Sequence, residues 1–147
     1  MNVSRRDLSL LLPALLAGGA EAQTTSAGGS TAVLPSKAYV WDNLPVHKNP
    51  KNGMEVRSGF KGATHTGCVL GLHLSSLPAG QMPHPPHHHV HEEMMLIREG
   101  TLDATVSGHT TRLGPGSVFY VASNEEHGLK NVGSVTAQYF VIELGAA

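Results

Sequence analysis

The 147 residues carry a formal net charge of −1 at pH 7, and charged side chains make up only 14% of them. No basic face therefore calls for nucleic acid, and no acidic tail is present. A length of this order with 40% hydrophobic residues builds one domain around one core, and 17 Gly with 9 Pro favour many turns between short strands over helices.

The first 22 residues differ in kind from the rest. Ser4-Arg5-Arg6-Asp7-Leu8 precedes an apolar run from Ser9 to Ala17 that is too short to span a bilayer. The run leads to Ala20-Glu21-Ala22, a small-x-small cleavage pattern. Residues 1–22 are thus predicted to be an export signal, and the paired arginines resemble the twin-arginine type, although Leu8 stands where that signal often has Phe. The expected destination is the periplasm or the cell exterior. The competing reading is an amphipathic or lipid-bound N-terminal helix. Residues 23–33 are small and polar and read as a flexible linker, leaving 34–147 as a single domain. The lone Cys68 excludes an intrachain disulfide, and its alternation with apolar neighbours predicts a buried, inert thiol.

From Glu55 onward the pattern is period two, or short apolar runs, broken by turn residues. Glu55–Phe60 is a weak strand. Cys68–Leu74 alternates and ends near Pro78-Ala79-Gly80. Met94–Ile97 ends at Gly100. Thr101–Val106 and His109–Leu113 flank Ser107-Gly108 and read as a hairpin. Gly114-Pro115-Gly116 turns into Ser117–Val121, and a last run spans Val135 to Leu144. No stretch after Val33 gives ten residues at helical spacing without a breaker. Seven or more short antiparallel strands imply an all-β sandwich or a small jelly-roll barrel.

Residues 84–93, His84-Pro85-Pro86-His87-His88-His89-Val90-His91-Glu92-Glu93, hold five of the ten histidines. On a strand His87 and His89 share a face about 6.6 Å apart, while His88 points away. Glu93 has the same parity but would lie about 13 Å beyond His89 on a continuous strand, out of reach of a shared ion. Either Glu93 is not a ligand, or the chain turns at Val90-His91-Glu92 and Glu93 begins a neighbouring strand. The apolar run Met94–Ile97 favours the turn. Pro83, Pro85 and Pro86 cannot donate to a ladder, so 82–86 reads as an extended loop leading into the histidines. His91 is either a surface residue or a partner that orients a ligand. Glu92 and His88 are expected in solvent, and His84 is a candidate acid or base beside the site. Met94 and Met95 read as core fillers, as do Phe119, Phe140 and Trp41, with an N-terminal arm across a partner subunit as a second reading for Trp41. Arg57, Lys61, His73, Tyr120, Gln138 and Tyr139 would matter to a substrate only if their strands face the cavity.

At these residues the chain resembles the cupin superfamily. The first motif of that family, G-x5-H-x-H-x3,4-E-x6-G, is met by Gly80, His87, His89, Glu93 and Gly100, with six residues in place of five after Gly80. The second, G-x5-P-x-G-x2-H-x3-N, is met by Gly116, His127 and Asn131. Ala122 replaces its proline and Asn124 its second glycine, and Asn tolerates the left-handed backbone such a glycine takes. The resemblance implies an antiparallel jelly-roll barrel with one divalent transition metal ion held by His87, His89, Glu93 and His127. Three imidazoles and a carboxylate suit Mn, Fe, Ni, Co or Zn. Export in a folded, already loaded state would favour Mn or Fe. Four protein ligands on a six-coordinate ion leave two positions open.

The resemblance also implies a small-molecule substrate and a homodimer. Three functions are consistent with it. The first is an oxygenase, with Glu93 as ligand and proton acceptor. The second is a non-oxidative isomerase, decarboxylase or lyase. The third is a carbohydrate- or metabolite-binding protein. A substrate carboxylate calls for Arg57 or Arg98 in the cavity, whereas a flavonoid or catechol calls for an apolar lining with Met and Phe.

Overall fold

A computed structural model describes residues 32–145. The export signal expected at 1–22 and all but the end of the expected linker lie outside them. Ala32 and Val33, at that end, pair with Ala63 in a parallel bridge.

Among the described residues nine strands run in order: β1 (Val46–Lys48), β2 (Glu55–Ala63), β3 (Val69–Leu77), β4 (Glu92–Glu99), β5 (Leu102–Val106), β6 (His109–Leu113), β7 (Val118–Val121), β8 (His127–Asn131) and β9 (Ala137–Leu144). They form a six-stranded sheet, β1-β2-β3-β9-β4-β7, facing a three-stranded sheet, β6-β5-β8. All pairings between strands are antiparallel. This is the all-β jelly-roll barrel expected of the strand pattern. Among the described residues the only helical element is a 3-10 turn at Trp41–Asn43, and no helix is long and apolar enough to cross a membrane.

The core lies between the sheets because each strand alternates. In β9, Ala137, Tyr139 and Val141 are buried, while Gln138, Phe140 and Ile142 point to the other face. Met95 and Ile97 of β4 and Leu77 of β3 meet them, and Leu102, Ala104 and Leu129 close the core from the small sheet. The β5–β6 hairpin turns as predicted through Ser107 and Gly108, both at positive φ (46° and 82°), a two-residue turn whose twist matches its strands. Asn124 takes the left-handed conformation expected of it (φ 62°).

Three expectations change. Cys68 is exposed, not buried. It ends the turn from Thr64, whose Oγ1 accepts from the Cys68 amide at 3.0 Å, so β3 starts one residue later than the alternation suggested. His87–His89 form no strand. After the prolines remove three donors, only His87 makes a bridge, to His127. Strands β1 and β8, too short or too polar for a periodic signal, complete the two sheets.

Candidate metal centre

His127 opens β8 and is nearly fully buried (2% exposed). The loop at His87 is stitched to it twice: the His87 amide donates to the His127 carbonyl at 3.0 Å, and the His127 amide donates back at 2.9 Å. Two residues on, the Asn124 amide donates to the His89 carbonyl at 2.8 Å. The left-handed Asn124 thus ties the His89 backbone to the loop before His127. The chain then turns through Val90 and His91, and Glu93 faces inward near the start of β4, paired with Glu143 of β9 and Val121 of β7. The turn that Glu93 needs in order to face the histidines is therefore present.

The imidazoles are pre-set for coordination. His89 Nδ1–H donates to the His91 carbonyl (2.8 Å) and His127 Nδ1–H to the Glu125 carbonyl (2.9 Å), which leaves each Nε2 as a lone-pair donor. Those two Nε2 atoms and His87 Nδ1 are buried without a hydrogen-bond partner. Three such orphans in one place are costly unless something else satisfies them. One donor atom from each of the three rings lies within 4.8 Å of the others. Glu93 Oε1 is 3.3 Å from His89 Nε2, and Oε2 is 3.6 Å from His127 Nε2. Those gaps are long for hydrogen bonds, and they are of the order expected of donors about 2.1 Å from a shared ion. The histidine cluster fits one metal ion. Burial, then the neighbouring His84, His127 and His89, lowers the His87 pKa, which favours the neutral form a metal needs.

A cavity of about 290 Å³ opens at Glu93 and His127. Met54, Met95, Leu129 and Val141 give it apolar walls, and His73, His84, Ser75 and Tyr139 are its other polar groups. Burial pushes the Tyr139 phenol well above its ordinary value, so the hydroxyl remains a donor. His84 is exposed on the rim, its ring 4.0 Å from that of His87 and its Nδ1–H on the Pro85 carbonyl. His88 faces solvent. His91 stacks flat on His89 (3.6 Å between centroids, 6°) with its Nε2 3.5 Å from Glu93 Oε1, the position of a group that orients ligands.

Other candidates fall elsewhere. The Arg57 and Arg98 guanidiniums lie over the Trp41 ring at 4.7 and 5.2 Å, and neither lines the cavity. Tyr120 is exposed, and Gln138 is on the opposite face of β9 from Tyr139. Met54, Leu129 and Ser75 line the cavity and were not singled out from the sequence, and the polar one among them is Ser75. Its signal was the run of inward positions Gly71, His73 and Ser75 on β3, none of them a core former.

The sequence profile of the Cupin domain family matches residues 73–143, which covers the histidine cluster and the chain from the middle of β3 to nearly the end of β9. The chain carries a cupin domain. No curated protein matches it in sequence. Among solved structures, an RmlC-like cupin from Shewanella frigidimarina is 18% identical, with 76% of this chain and 93% of that one covered and a TM-score of 0.62. A polyketide cyclase from Streptomyces resistomycificus is 17% identical (75% and 80% covered, TM-score 0.60). A sugar phosphate isomerase from Silicibacter pomeroyi is 15% identical (76% and 76%, TM-score 0.62). At these identities the likeness is one of fold.

A second cavity of about 250 Å³ adjoins the first, with His73 lining both. In it Lys61 Nζ donates to Glu143 Oε2 at 2.8 Å, and His73 Nδ1 lies 3.8 Å from Glu143 Oε1. Burial lowers the His73 pKa, only partly offset by Glu143 and Glu93. Burial pushes the Glu143 carboxyl up, but the Lys61 hydrogen bond and the charges of Lys61, His91 and His73 outweigh it and hold it below the ordinary carboxylate value. A carboxylate pKa depressed by folding adds stability above its unfolded value, and that stability is lost as pH falls through the folded value. Lys61→Met is therefore expected to raise the Glu143 midpoint in an NMR titration of its carboxyl carbon. An unchanged midpoint would show that the ion pair does not set it.

Proposed function

We propose that this cupin is a mononuclear metal-dependent enzyme of the oxygenase type, exported from the cytoplasm and acting on a small organic molecule with chelating oxygens. His87, His89, Glu93 and His127 are the residues that would hold the ion. The observation that carries the reading is the convergence of three unpaired imidazole nitrogens and one carboxylate beside a cavity that Glu93 and His127 line. Mn or Fe is favoured, and Zn, Ni and Co suit the same donors. When bound, such an ion supplies Lewis-acid polarisation of the substrate oxygens and, for iron or manganese, electron exchange with O₂.

The chain's own residues do the rest. Met54, Leu129 and Val141 exclude water and accept an apolar body. With Arg57 and Arg98 drawn off to Trp41, no arginine among the described residues lines the cavity for a substrate carboxylate, which favours a phenolic or catecholic ring. Glu93 is placed to accept a proton from the chelating hydroxyl. His84, with Nδ1–H fixed on the Pro85 carbonyl, keeps Nε2 free to pass that proton to solvent. Tyr139 donates to a substrate oxygen. Export rests on residues 1–22. A homodimer is supported by the exposed apolar strip of Leu96, Val118 and Tyr120 across β4 and β7.

The test is elemental analysis of the full chain purified with its own N-terminal segment, followed by oxygen-electrode assays over phenols and organic acids. Iron or manganese near one per chain, with oxygen uptake on a catechol, is expected. Zinc at full occupancy with no uptake would overturn the oxygenase reading. It would leave the non-oxidative one, which the proton donors Tyr139 and His84 around the cavity also serve.

A further inference from the structure

The pairing of β2 with β3 shifts register between Ser58 and Phe60, a bulge at Gly59. Val56 and Ser58 stand opposite Ser75 and His73 of β3, on the face turned into the barrel. Strict alternation from Ser58 would turn Lys61 outward. The bulge puts it opposite Gly71 and returns it to the inner face. Bulges of this kind re-aim side chains and cluster beside active sites.

The next step across the sheet is also built. Lys61, Gly71, Glu143 and Glu93 form one row through β2, β3, β9 and β4. Lys61 reaches Glu143 across Gly71, and a Cβ at Gly71 would stand 3.1 Å from Glu143 Oε2 and 3.2 Å from its Cβ. A glycine inside a strand weakens the sheet and marks a close approach. An ion pair with an exposed lysine stabilises a fold by about 1 kcal/mol at most. Stability alone is a weak reason for a bulge, a glycine and a half-buried carboxylate in one row.

We propose that the Lys61–Glu143–His73 cavity is a second subsite, one that binds the neutral, hydroxylated end of a ligand whose chelating end lies at the histidine cluster. The inference rests on the reading above that a chelating ligand occupies the metal centre. Glu143, at the edge of the subsite, lies one strand from Glu93, a backbone spacing of about 5 Å, so the hydroxylated end is a short side chain on the chelating head. Its charges select the ligand class. Lys61 and Glu143 offset each other, and Glu93 on the next strand repels an anion. The lysine in turn repels a cation. What the cavity offers is a donor at Lys61 Nζ, an acceptor at Glu143 Oε1 and either role at the His73 ring, the complement of adjacent hydroxyls.

The test uses two catechols with the same chelating head, 4-ethylcatechol and 4-(1,2-dihydroxyethyl)catechol. Each is titrated anaerobically into the full chain loaded with cobalt(II), and calorimetry and the cobalt absorption bands are followed together. The dihydroxyethyl compound is expected to bind about tenfold tighter or more, the worth of one or two hydrogen bonds to charged groups. Glu143→Gln is expected to erase that preference while 4-ethylcatechol binds as before, and Lys61→Met provides the same comparison should the first variant fail to fold. Equal affinity for the two catechols overturns the subsite and leaves the metal centre standing. Equal weakening of both ligands by either variant also overturns it, because the effect would then be general. If neither catechol perturbs the cobalt bands, the chelating-ligand reading fails and this inference fails with it.

Discussion

Replacing Glu93 by Gln is expected to lower metal affinity by about a hundredfold or more, since even partners that only orient ligands cost ten- to hundredfold. The substitution keeps the side chain's size and removes the sole charge from a donor set otherwise made of neutral imidazoles. An ion held there by three nitrogens alone would keep all of its positive charge. Because Oε1 and Oε2 stand 3.3 and 3.6 Å from different histidines, the carboxylate also sets the spacing between them. Metal content after dialysis against a weak chelator reads the effect directly. His88→Ala, within the same tract but in solvent, is expected to leave metal content unchanged. Should His88→Ala lose the metal and Glu93→Gln keep it, the assignment of ligands is wrong.

The second large effect concerns Asn131, the last residue of the second motif. It ligates nothing. Fully buried, its Nδ2 donates to the carbonyls of Leu77 and Val135 at 2.8 Å each, and its Oδ1 accepts from the Gly133 amide at 3.0 Å. One side chain thus ties the end of β3, the end of β8 and the turn into β9. Asn131→Ala strands the buried Leu77 carbonyl and frees the part-buried Val135 carbonyl, while the Gly133 amide keeps the Thr101 carbonyl at 3.2 Å, and each unmet buried group costs about 1–3 kcal/mol. A destabilisation of about 2 kcal/mol or more is expected in urea unfolding, with metal content of the folded fraction unchanged. A loss under about 1 kcal/mol would mean that water replaces the amide.

The contrast between these residues shows what a linear reading reaches. That His87, His89, Glu93 and His127 come together was legible from the spacing of the two family motifs, and the turn that Glu93 needs from the apolar run after it, whereas the strand assumed for 87–89 does not form. Asn124 was legible for the same reason, its left-handed backbone being a property of the residue. Lys61, Ser75 and Tyr139 could be named or passed over but not aimed, since facing depends on register between strands distant in sequence. The bulge at Gly59 reverses the direction that counting assigns to Lys61. Cys68 was misjudged by a one-residue error in where β3 begins, which period-two reasoning turns into a change of environment. Strand β8 gave no periodic signal because Gly128, Lys130 and Asn131 serve packing, solvent and the clasp in turn.

The double bridge between His87 and His127 has a further meaning in polymer terms. It closes a loop of about forty residues with two hydrogen bonds, against a closure entropy that grows only slowly with length. Most of the small sheet hangs inside that loop. A chain with a single cysteine cannot lock such a loop by oxidation, yet an ion shared by His87, His89 and His127 would cross-link the same two segments. Metal here would be a reversible staple as well as a reagent, and the folded barrel would be most firmly closed when it is ready to work.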